Sequence, residues 1–212
     1  MPRTRLSRLR EYQVEERASL DALLDQARIA HIGLVSDGHP VVIPTAVARD
    51  GDALLVHGST GSRWMRLVAT GVPACVEVTS VDGIIVARSA FESSFRYRSA
   101  VLFGRFERLQ GERVAGALDV LVDKLIPGRR GEVRASTRAE LNKTMVLSMP
   151  IATWSLKVSD GWPEDDPDDV AGPSWAGVVP LAEHAGTPVP APDLAAGALL
   201  PRSVLSLTEG PG

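Results

Sequence analysis

Residues 57 to 66, HGSTGSRWMR, gather an imidazole, three hydroxyls, two glycines and two arginines directly after an apolar run. Gly58 and Gly61 remove side-chain bulk between a strand and a helix, so an anion could approach the amides of Ser59 to Ser62 at the helix's positive end. Ser59, Thr60 and Ser62 add hydroxyls and Arg63 adds a charge, a set that matches the acceptor oxygens and the charge of a phosphomonoester. The same residues also suit a plain polar loop whose Ser or Thr caps the helix. The loop alone leaves both readings open.

Other chemistry has less support. No G-x-x-x-x-G-K-[ST] run is present and strands do not alternate with long helices, which argues against a nucleotide triphosphatase or a dinucleotide-binding fold. His31, His39, His57 and His184 lack the local pairings of a zinc site, and the acidic run at 164 to 169 lacks calcium-loop spacing and reads as solvated. No metal is expected. The single cysteine, Cys75, sits in an apolar run as a small buried thiol, and one cysteine permits no disulfide framework. With 23 basic against 26 acidic side chains the formal net charge is -3, so no global field favours nucleic acid or an anionic membrane. No stretch approaches the roughly 20 apolar residues of a membrane span, and a cytoplasmic protein is expected. The opening tract carries Arg3, Arg5, Arg8 and Arg10, which could grip phosphates or form a solvated arm.

The elements that must position the loop follow from periodicity. Leu20, Leu23, Leu24 and Ala27 recur at helical spacing between Glu15 and Arg28. Three apolar runs separated by Asp37-Gly38 and Asp50-Gly51 predict three antiparallel strands. Trp64, Leu67 and Val68 predict a helix stopped by Gly71, with Trp64 in the core. Two strands are expected around Asp82-Gly83, then one strand in SAVLFGRFERL. A helix with an apolar stripe of Val114, Leu118, Leu121, Val122 and Leu125 comes next. A cap at STRAELN supported by Glu140 precedes one long closing strand through TMVLSMPIATWSLKVS. Many short strands with few helices argue for a barrel. The expected organisation is a globular domain over 1–160 and a Pro-rich extended tail over 161–212. There prolines disfavour regular ladders, and Trp175, Val178, Val179, Leu181, Leu199 and Leu200 favour packing on the barrel or a partner subunit.

The segments HPVVIPTAVARDGDALLVHGSTGSRWMRLVATGVPACVEVT, FRYRSAVLFGRFERL and SMPIATWSLKV resemble the pyridoxamine 5'-phosphate oxidase-like superfamily of flavin-binding split barrels. They are most similar to its flavin-nucleotide-binding branch, which includes the 5-nitroimidazole resistance (Nim) proteins, over about Arg3 to Leu181. The resemblance implies a mainly β split barrel, antiparallel and Greek-key-like, with peripheral helices, FMN as cofactor and a homodimer. It implies that Val42 to Thr45 run beside the isoalloxazine, with Pro44 and Thr45 giving backbone contacts, that His57 faces the flavin as the catalytic residue, and that Ser62 and Arg63 grip the phosphate. Tyr97 and Arg98 would stand at the dimer interface, and Trp154 and Lys157 near the site. Trp64 stands where the oxidases carry the lysine of an SRK motif.

On this basis the expected activity is that of an FMN-dependent oxidoreductase or nitroreductase. It would draw hydride from NADH or NADPH, with His57 orienting or protonating a small acceptor. A flavin-binding protein without turnover (a carrier, sensor or sequestering factor) is the alternative, as is a deazaflavin- or haem-binding member of the same fold.

Overall fold

The computed structural model describes residues 4–5 and 10–209, so Arg3 and Arg8 of the basic tract lie outside the described residues. Strand β1 (Gln13–Val14) leads into helix α1 (Arg17–Gln26), whose Leu20, Leu23 and Leu24 are fully buried, as the spacing predicts. Burial of each such side chain is worth about 1.5–3 kcal/mol. Strands β2 (Ile29–Ser36) and β3 (His39–Ala46) form a hairpin whose turn residues Asp37 and Gly38 have φ of 52° and 78°. Strands β4 (Ala48–Asp50) and β5 (Ala53–Ser59), helix α2 (Arg63–Val68), and the long strands β6 (Pro73–Val86) and β7 (Ser94–Arg105) follow. Then come β8 (Glu107–Arg108), α3 (Glu112–Leu125), α4 (Arg138–Lys143), β9 (Thr144–Pro150) and β10 (Thr153–Ser159). The tail adds α5 (Pro167–Val170), β11 (Gly177–Pro180) and α6 (Arg202–Thr208).

Two antiparallel sheets result. One runs β1-β10-β7-β6-β2-β3, with β11 also on β6; the other runs β4-β5-β9-β8. The chain crosses between them four times, once through α2 between β5 and β6 and three times at short corners that each hold an inward residue of the main core: Val47 between β3 and β4, Phe106 between β7 and β8, and Ile151 between β9 and β10. One apolar residue at each break lets a continuous β run bend from one sheet to the other without opening the core. The chain therefore forms a split antiparallel barrel with peripheral helices.

Several local expectations change. The run before Asp50-Gly51 divides at Val47 into β3 and β4, and SAVLFGRFERL divides at Phe106 into β7 and β8, each pair lying on different sheets. The run from 144 to 159 forms two strands on different sheets because Pro150 cannot donate to a ladder and Ile151 turns inward. Asp82-Gly83 makes no hairpin: β6 continues through it with a bulge between Val81 and Gly83, still paired with β7. Glycine suits this position, since a Cβ on Gly83 would lie 3.1 Å from the carbonyl oxygen of Val179 and would make β11 give way by a few tenths of an ångström. On α3 the buried face is Ala117 and Leu121, flanked by Val114, Leu118 and Val120, whereas Val122 and Leu125 are exposed. This face packs on Ala48, Leu55 and Val146, so β9 is covered on both sides and Met145 to Met149 are all buried. The capping box at Thr137 and Glu140 forms as predicted.

The tail is partly ordered against the barrel. Residues 177 to 180 pair with Val86 to Gly83 of β6 in a four-residue ladder between proline-rich flanks. Val178 is half-buried, while Trp175, Val179, Leu181, Leu199 and Leu200 remain exposed. Asp165, expected in a solvated acidic run, is buried instead, accepting hydrogen bonds from the Arg88 amide and guanidinium at 2.7 and 2.9 Å. Ser203 on α6 is buried and donates its amide and hydroxyl to Glu132. No helix among the described residues is long and apolar enough to cross a membrane.

Candidate functional site

His57 lies near the end of β5, opposite Val146 of β9, on the face that carries Leu55 toward α3. Its ring is exposed at the surface, yet the surrounding protein desolvates it enough to lower the imidazole pKa, so it is neutral at pH 7. Gly58 comes next. A Cβ there would stand 3.2 Å from Met65 Cγ, so the glycine lets α2 fold back against the end of β5.

The turn from β5 to α2 is braced from inside. The Thr60 amide bonds Lys143 O at 3.0 Å, the Gly61 amide bonds Ser59 Oγ at 3.1 Å, and the Ser62 amide bonds Ser59 O at 2.9 Å. Three of the amides that the sequence offers to an anion are therefore spent on the turn itself. The Ser62 hydroxyl makes no capping bond, so the plain-cap reading fails at the N-cap position, and the first turn of α2 is left uncapped. Arg63 pairs with Asp37 of the β2–β3 turn, both side chains being more than 70% exposed (77% and 71%). An exposed pair of this kind is worth about 0–1 kcal/mol, so the guanidinium can exchange partners.

Between this turn and the β2–β3 hairpin lies a groove of about 360 Å³, lined by Leu34, Val41, Trp64 and Leu67, with Ser36, Asp37 and Arg63 at its polar end. Its size falls within the range of small-molecule sites, and an apolar wall with one cation suits a flat ring carrying an anionic arm. Trp64 is half-buried, packing on the core while lining this groove. On β3, Val42 and Pro44 are exposed and Thr45 is half-buried. The strand ends its sheet, so one side of its backbone is open to a ligand.

The remaining expected residues sit on the larger sheet and do not meet His57 or Arg63 in any bond. Tyr97 and Lys157 come together there: the Lys157 ammonium lies 5.2 Å from the Tyr97 ring centroid and 5.6 Å from that of Tyr12. Arg98 faces the other side of β7 and is committed. It bonds Asp82 through two nitrogens at 2.8 and 2.7 Å and Gln26 at 2.7 Å, which depresses the Asp82 pKa. Trp154, three residues before Lys157, packs into the core, so the two point to opposite faces of β10.

One pair escapes any reading of local sequence. His31 Nδ1 lies 3.2 Å from Glu77 Oε2 on the outer face of the larger sheet, and 46 positions separate the two residues. Only the register of β2 against β6 brings them together.

Comparison with known proteins agrees with this architecture. The chain is 54% identical to the FAD and haem binding protein of Mycobacterium smegmatis, covering 93% of this chain and 97% of that one with a TM-score of 0.90. It is 35% identical to the flavocytochrome Anf3 of Azotobacter vinelandii, covering 97% and 96% with a TM-score of 0.89. A proposed 5-nitroimidazole antibiotic resistance protein of Bacteroides thetaiotaomicron, 18% identical over 69% of this chain and 86% of its own with a TM-score of 0.60, shares the fold. No curated protein matches the chain. The family model described as pyridoxamine 5'-phosphate oxidase matches residues 16–158, and the chain belongs to that family of split barrels.

Proposed function

We propose that this chain is a flavin- and haem-binding redox protein that works as a homodimer and moves electrons between a reduced nicotinamide and a small acceptor. The observation that carries this reading is the 54% identity to a FAD and haem binding protein, which runs through 93% of the chain and so includes the tail as well as the barrel. That likeness favours FAD over the FMN that the family resemblance implies; both present a ribityl phosphate to the same chemistry. A bound flavin supplies hydride and single-electron transfer.

This chain's own groups fit such a ligand. Arg63, with its loosely held carboxylate partner, and the unused hydroxyl of Ser62 would hold the phosphate, with Ser59 and Thr60 shaping the turn. Trp64, Leu67, Leu34 and Val41 would exclude water from the ring, and the open edge of β3 at Val42 to Thr45 would meet its polar rim. His57, neutral and desolvated, would orient an acceptor as a hydrogen-bond partner. Exposed Ile84 and Phe95 on the larger sheet favour burial against a second copy.

Acid release of the chromophores from purified protein tests the reading. FAD by chromatography and a pyridine haemochrome spectrum are expected; FMN, a deazaflavin or an absence of haem would each revise it. Anaerobic mixing with NADH or NADPH should bleach the flavin band, and no bleaching with either donor would favour a carrier or sensor. His57→Ala should remove turnover while flavin stays bound. Light scattering should give twice the chain mass.

A further inference from the structure

The geometry points to His31 as the iron ligand for the haem, with Glu77 as its positioning residue; this rests on the flavin-and-haem reading above. A metal-ligating imidazole characteristically gives its second ring nitrogen to a carboxylate or carbonyl, which fixes the tautomer and makes the other nitrogen a better donor. Four histidines are available in the chain. Among the described residues His31 alone has a carboxylate at its ring: Nδ1 sits 3.2 Å from Glu77 Oε2. Glu77 is itself held by the hydroxyl of Thr79, so the carboxylate is fixed from two sides. With Nδ1 occupied, Nε2 on the far side of a half-exposed ring is left for iron.

The surroundings match a porphyrin better than they match water. His31 stands between Glu77 on β6 and Pro44 on β3, and Val42 lies opposite Gly33, the next residue on that face of β2. Ile29, Val35 and Val42 on this face are 50%, 62% and 63% exposed. Large aliphatic side chains left this open around one anchored imidazole form an apolar platform without a cover in the protomer. The other histidines lack this combination. His39 sits beside the hairpin turn, His184 lies in the exposed tail, and His57 has a desolvated ring with no carboxylate beside it. Strand β3 would then serve both groups, through its open backbone edge for the flavin and through Val42 and Pro44 for the haem.

The full chain, titrated with ferric haem and followed by Soret absorption and electron paramagnetic resonance, provides the test. His31→Ala should lose the histidine-ligated signature with flavin content unchanged, and His31→Gly should regain it when free imidazole is added. Glu77→Gln should keep haem but weaken its binding roughly tenfold and raise its midpoint potential, because the imidazole becomes a poorer donor. Wild-type spectra and affinity in both His31 variants, with the signature lost in His57→Ala instead, would overturn the assignment and leave the haem reading standing. Wild-type protein that takes up no haem would overturn both.

Discussion

Arg63 and Arg98 are both implied by family resemblance to face the cofactor or the interface, yet the fold treats them in opposite ways. Arg98 is half-buried across the β6 bulge, tied to Asp82 through two nitrogens and to Gln26 of α1. Arg63 stands almost free at the mouth of a groove, touching one exposed carboxylate. A guanidinium whose donors are filled inside the protomer stabilises the fold, and one held by an exposed partner remains available for a ligand. The contrast separates two arginines that sequence motifs treat alike.

The strongest way to break this contrast is Asp82→Ala. It leaves Arg98 half-buried without its carboxylate, and urea unfolding should show a loss of about 2 kcal/mol. Flavin content at saturation should not change. Next in size, Arg63→Ala should raise the flavin dissociation constant about tenfold, or about 1.4 kcal/mol, in a fluorescence titration. Its unfolding midpoint should stay within about 0.5 kcal/mol of wild type. Equal effects of Arg63→Ala and Arg98→Ala on flavin affinity would erase the distinction.

Acid should act on one side only. Arg98 depresses the folded-state pKa of Asp82, so the carboxylate's stabilising contribution is present above its unfolded value of about 3.9 and fades as pH falls through the lower folded value. Unfolding measured below about pH 4 should therefore lose this contribution in wild type, and Arg98→Ala should flatten that part of the profile. The smallest expected effect sharpens the other side. Asp37→Asn keeps a residue that tolerates the positive φ of the turn while removing Arg63's competitor, and flavin binding should tighten about twofold.

What could be read from the chain beforehand follows the range of the interactions. Helix α1, the Asp37-Gly38 hairpin and the Thr137–Glu140 capping box depend on neighbours a few residues apart, and each is where the residue pattern places it. Asp82-Gly83 carries the same turn chemistry but forms a bulge. Turn and bulge both want these residues, and only the strands on either side, β7 and the distant β11, decide between them. The corners at Val47 and Ile151 were hidden for a similar reason, since an inward residue inside an apolar run has no local mark. At the site, the Ser59–Arg63 turn was legible as a polar strand-to-helix corner. That its amides bond Lys143 and Ser59 was not, because the partner carbonyl of Lys143 belongs to α4, which is far along the chain. His31 and Glu77 belong to the same class: two ordinary residues made into a pair by strand register.

The short strand from the tail has a further consequence. The near half of β6 is flanked by β2 and the distal half by β11, so residues 83 to 86 have their second row of backbone groups covered only by the segment 177 to 180. A chain shortened before residue 177 would bare that row beside exposed Ile84 and Phe95, leaving a free edge with which another copy's strand could pair. The proline-bounded tail thus caps a sheet edge that would otherwise be open to strand pairing.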